Sequence, residues 1–146
     1  MTWFIPLLAL SQLPNGEPKD IARLRLGELA RVYRYGGLTT MGPYYRLVVV
    51  TKSGKVFVKD SDGNRASQLG ASQLRSLAAT IQATDWRGAK ASPRTESYGP
   101  SAYDGIDIYL SVRHRGIQSW NNIQWHGPRS FPLLDELERI GRAAKQ

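Results

Sequence analysis

Not one of the 146 residues is a cysteine, so the chain forms no disulfide, offers no thiolate nucleophile and holds no zinc through sulfur. Its stability must come from packing. Histidine is almost as scarce, with only His114 and His126. A zinc site built on them would need Asp104 or Asp107 as further ligands, and these residues do not stand at metal-ligand spacing. A Ser/His/Asp trio can be drawn from Ser119, His114 and Asp104, but no nucleophile-elbow sequence surrounds the serine. Phosphate-binding glycine loops and paired-carboxylate signatures are also missing. These absences predict a protein without catalytic residues, bound metal or cofactor.

Long apolar runs are scarce too. Trp3 to Leu13 (WFIPLLALSQL) is the only one, and it is too short for a transmembrane helix and interrupted by Pro6. No Lys or Arg precedes it as in a secretory leader, and no clean small-x-small cleavage site follows. Three fates stay open: packing on the domain or a neighbour, removal on export, or contact with a membrane surface through residues 1–13. The compartment, cytoplasmic or exported, therefore stays open as well.

Acidic side chains are in deficit. Twenty Lys and Arg stand against 12 Asp and Glu, a net charge of +8 that favours acidic partners. The excess is spread along the chain: residues 1–70 hold ten basic and five acidic side chains, and residues 71–146 hold ten and seven. With 41% apolar residues, a chain of this length can close one modest core. The expected organisation is an apolar segment and linker over residues 1–20, with Asn-Gly and two prolines as turn signals, followed by one domain over residues 21–146.

Within that domain, Leu24 to Tyr35 passes into the alternation of a half-buried strand, which Gly36-Gly37 is expected to end. Tyr44 to Thr51 (YYRLVVVT) is the strongest strand, its three valines predicting burial on both faces. Ser53-Gly54 predicts a tight hairpin into Lys55 to Lys59, and Asp60 to Arg65 (DSDGNR) reads as loop. From Ala71 to Ala83 the period changes. Leu74, Leu77, Ala78 and Ile81 form a helical stripe behind Gly70 as N-cap and Gln73 at the capping-box position. Trp86 and the long irregular stretch of residues 87–103 follow. Ile106, Ile108, Leu110 and Val112 alternate inward against outward Asp107, Tyr109 and Ser111, and Arg115-Gly116 turns into Ile117 to Trp125. Ser130 caps a last helix with Leu133, Leu134, Leu137 and Ile140 as its buried stripe. The expected fold is α+β: an antiparallel sheet of about five strands, in the order β-β-β-α-loop-β-β-α, with two helices packed on one face.

RYGG (Arg34 to Gly37), YYRLVVV, a helix with Leu at i and i+3, a Trp-containing turn, DGIDIYLSV (Asp104 to Val112) and PLLDELERI (Pro132 to Ile140) together resemble the emfourin-like inhibitors of thermolysin-type metalloproteases. The resemblance covers about residues 32–141 as an order of elements. It implies a compact α+β inhibitor that docks loops on a protease cleft and carries no metal of its own. Leu38, Thr39, Thr40 and Met41 occupy the matching position after the glycine pair. The long N-terminal extension and the longer loop of residues 87–103 depart from the family pattern.

Two surfaces are candidates for binding. The first is the apolar, hydroxyl-rich run Leu38, Thr39, Thr40 and Met41, suited to a protease cleft that prefers large apolar side chains; a purely structural turn is the competing reading. The second gathers Arg113, Arg115, Trp120 and Trp125, with His126 and Arg129, around the second hairpin, where aromatic rings among arginines suit base stacking and phosphate contact. Trp120 and Trp125 are five residues apart, which in a regular strand sends one of them into the core. A protein partner with an acidic face is therefore the first expectation, and nucleic acid or a larger membrane-associated assembly the alternatives.

Overall fold

The computed structural model describes residues 16–39, 42–84, 106–114, 117–121 and 132–144, with the backbone alone described for 19, 37–39, 42–44, 106–107, 114 and 117–121. Six strands form one antiparallel sheet: β1 (Glu28–Thr39), β2 (Gly42–Thr51), β3 (Lys55–Asp60), β4 (Gly63–Gln68), β5 (Ile106–His114) and β6 (Ile117–Asn121). Their spatial order is β4-β3-β2-β1-β5-β6. Helices α2 (Ala71–Ala83) and α3 (Pro132–Ala143) pack on one face, and the single turn α1 (Pro18–Ile21) lies against the other. This is the expected α+β architecture with one further strand, β4.

The core is layered by register. Ala30, Val50, Val56 and Val112 make one cross-strand row, and Val32, Val48, Val58 and Leu110 make the next. Leu77 and Ile81 of α2 and Leu133, Leu134 and Leu137 of α3 close over these rows, each at most 1% exposed. Each such side chain contributes about 1.5–3 kcal/mol through burial. Leu74 and Ile140 complete the two predicted stripes from the margin. At the start of α2 the Gln73 side chain accepts a bond from the Gly70 N–H at 3.1 Å, as its position predicted.

Gly141 has a specific reason to be glycine. A Cβ there would lie 2.9 Å from Cγ2 of Val48, so α3 approaches β2 more closely than any larger residue permits. Gly54, at φ 93°, closes the β2–β3 turn, where the Gly54 and Lys55 N–H groups donate to the Thr51 carbonyl and hydroxyl.

The opposite face is covered over its centre. Ile21 and Ala22 pack with Tyr33 and Tyr45, bordered by Tyr35, Leu47 and Tyr109. Val48, Val49 and Val50 are all buried, as the three consecutive valines predicted.

Four expectations are corrected. The chain does not leave β1 at Gly36-Gly37 but stays paired to Thr39↔Gly42, with a register shift between Gly36 and Thr39. The glycines make an irregularity inside a strand instead of ending it. Residues 63–65 belong to β4 and not to a loop, because Asp60 to Gly63 is a two-residue turn closed by a bond from the Asp62 N–H to the Asp60 carboxylate. Pro18 to Ile21 forms a helical turn where only a linker was read, with Pro18 in the first helical position, where its missing N–H costs nothing. Ser111, read as outward, is fully buried opposite Arg31. Trp86, the 87–103 stretch, Arg129 and Ser130 lie outside the described residues.

Candidate functional site

The pairing limits define one protruding feature. β1 pairs with β5 from Ala30 to Gly36, and β2 pairs with β3 from Arg46 to Val50, yet β1 and β2 remain paired to Thr39↔Gly42. Beyond Gly36 and Tyr45 the two strands therefore continue without a lateral neighbour among the described residues. At about 3.3 Å per residue this finger reaches about 10 Å past the sheet. Leu38 and Thr39 stand on its outgoing strand, and Thr40 and Met41 lie outside the described residues.

The root of the finger is a charged layer. In register with one another, Arg34 on β1, Arg46 on β2 and Asp60 on β3 continue the stack of apolar rows on the helix side. Two arginines directly opposite each other repel, and an acceptor must lie between them. Glu138 of α3 fills this role: its two carboxylate oxygens accept from Arg34 Nε and Arg46 Nη1, both at 2.9 Å, and Arg142 approaches at 3.4 Å. Arg46 Nε also donates to Asp60 at 3.1 Å, and Arg65 of β4 donates to both Asp60 oxygens at 3.1 and 2.6 Å. Burial alone would raise the Asp60 carboxyl, but the bonds from Arg65, the Asp62 N–H and Arg46 together hold it below its ordinary value. One helix carboxylate thus joins both strands of the finger at its base, and one strand carboxylate ties that base to the sheet edge.

On the other face, buried Arg31 donates to Glu28 at 2.7 Å and to the Ile21 carbonyl, joining α1 to β1. Burial lowers its pKa from the ordinary arginine value, opposed by Glu28. The Tyr33 hydroxyl is pushed well above the ordinary tyrosine value by burial, reinforced by Tyr35, Tyr45 and Tyr109. Tyr45 rises for the same first reason, with Asp60 adding to it. The hydroxyls of Tyr45 and Ser111 are buried without a hydrogen-bond partner among the described residues. These groups are structural in their surroundings.

The second predicted cluster is not assembled by the described residues. Arg113 donates to the Glu28 carbonyl at 3.2 Å and is partly buried. Trp120 stands opposite Val112 in the β5–β6 register. Arg115 and Trp125 lie outside the described residues. The Arg34–Glu138–Arg46–Asp60 layer escaped sequence reasoning because its members lie up to 104 positions apart and meet only through strand register. Among the described residues, no three His, Asp or Glu side chains converge as a metal set would, and no helix is long and apolar enough to cross a membrane. The sequence matches no family model and no curated protein.

Proposed function

We propose that this is a non-catalytic protein-binding domain that places the tip of the β1–β2 finger in a concave site of its partner, and that the partner is a thermolysin-type metalloprotease. The observation that supports this reading is the overhang itself: two paired strands run past both flanking strands as far as Thr39↔Gly42, with Leu38 and Thr39 on the outgoing one. A finger held at its root by Glu138 loses little conformational freedom on docking, which favours tight association. The emfourin-like order of elements points to the protease class, and the net charge of +8 favours an acidic surface around the cleft.

The test is to titrate the full chain into a thermolysin-type protease assay beside the Leu38→Asp and Met41→Asp variants. The reading predicts saturable inhibition by the natural sequence and at least about a tenfold loss in each variant, the scale of a carboxylate forced into an apolar pocket. Absence of inhibition by the natural sequence, or equal inhibition by all three, overturns it.

A further inference from the structure

β4 forms one edge of the sheet, and among the described residues its geometry is that of a strand open to a further neighbour. Opposed residues of an antiparallel pair alternate between bonded and non-bonded rungs. The Leu69 N–H donates to the Gly54 carbonyl at 2.8 Å, one rung beyond Lys55↔Gln68, which fixes the phase. Val56↔Ser67, Val58↔Arg65 and Asp60↔Gly63 are then the bonded rungs, and Asn64, Ala66 and Gln68 turn their N–H and C=O groups away from β3.

These three residues are exposed, and the β3–β4 register runs without a bulge. Natural edges are blunted by charged side chains, proline or bulges. Here the outward residues are Asn, Ala and Gln, and the one charged residue of β4, Arg65, is bound to Asp60 on the helix side.

Both faces beside this edge are shaped to receive side chains. On the face away from α2 and α3, Phe57 is 47% exposed next to Ala66, with Lys55 and Lys59 on either side of it in the same row. A groove of about 320 Å³, lined by Leu47, Val49 and Phe57 among others, opens there. On the helix face a groove of about 640 Å³ begins at Ser67 and is lined by Ser72, Gln73 and Arg139. Lys55, Lys59 and Arg139 make no ion pair among the described residues.

We infer that the β4 edge is a second docking surface, which takes an extended acidic segment of a partner protein as an added antiparallel strand. The outward N–H and C=O groups of Asn64, Ala66 and Gln68 supply the main-chain bonds. An apolar side chain opposite Ala66 rests beside Phe57, acidic side chains two positions to either side reach Lys55 and Lys59, and the intervening small polar side chains face the hydroxyl-lined groove. This surface is two strands away from the finger, so each can fail without the other.

The probe is a fluorescent peptide that alternates Glu and Thr around one central Val, followed by anisotropy with the full chain. Saturable binding is expected, weakened about tenfold or more in Ala66→Pro, which removes an outward N–H and no bond to β3. Should that variant fail to fold, N-methylation of the peptide on alternate residues serves instead: one phase abolishes binding and the other leaves it unchanged. Absent binding, or binding indifferent to both changes, overturns the proposal. Equal displacement of the peptide by oligothymidine overturns it in favour of a polyanion surface. Dimerisation of the chain that excludes the peptide overturns it in favour of a second copy at the edge.

Discussion

Replacing Asp60 by alanine removes the acceptor on which two arginines of the sheet margin converge. The carboxylate is 2% exposed and accepts from Arg46, twice from Arg65, and from the Asp62 N–H. Without it, Arg65 loses this acceptor at the margin and Arg46 keeps Glu138. Breaking a buried ion pair on one side costs about 3–5 kcal/mol, since the remaining charge stays desolvated. For a chain of this size each kcal/mol lowers the melting temperature by about 2–4 °C, so a drop of about 10 °C is expected at neutral pH. Thermal melts and urea titrations across pH measure it. The pH dependence has a definite sign. The folded carboxyl lies below its ordinary value of 3.8, so its stabilisation is complete above that value and is lost as pH falls through the lower, folded one. The difference between natural sequence and Asp60→Ala should therefore be constant from neutral pH down to about 5 and shrink only in stronger acid. A cost below about 1 kcal/mol at neutral pH, or a difference that vanishes before pH 5, refutes the reasoning.

Three further outcomes follow from the same packing. Tyr45→Phe removes a buried hydroxyl that has no partner among the described residues, so it should leave stability unchanged or raise it by about 1 kcal/mol in urea titration. Gly141→Ala gains up to about 1 kcal/mol of helix propensity but forces Val48 to shift, and a net loss of about 1–2 kcal/mol is expected in the same titration. Glu138→Gln removes the carboxylate shared by Arg34 and Arg46 and leaves Asp60 as the acidic partner on the Arg46 side, so amide hydrogen exchange should accelerate between Arg34 and Arg46 while α2 is unaffected.

How far the fold could be read depended on where each element buries its side chains. Leu77 and Ile81 in one helix, and Leu133, Leu134 and Leu137 in the other, stand out because a helix against a sheet must bury a stripe. Three consecutive valines stand out because β2 is covered on both faces. β4 left no such trace: it is an edge strand, GNRASQ, whose helix-side positions are polar and whose other face is exposed. A period-two search for apolar residues has nothing to detect there. The glycine pair at residues 36–37 misled for a related reason, since glycine marks both strand ends and irregularities within strands, and only pairing distinguishes them. The run Leu38 to Met41 drew notice as a hydroxyl-rich stretch after two glycines, but the sequence showed no finger there. The finger's overhang and its anchoring by Glu138 were not legible, because both depend on which strands stop short beside it.

The most direct test of the binding reading is calorimetric titration of the full chain into a thermolysin-type metalloprotease, first with its cleft free and then with the cleft filled by a small active-site inhibitor. The account predicts saturable binding to the free protease that is lost when the cleft is filled. Absence of binding to the free protease, or equal binding to both forms, would contradict it.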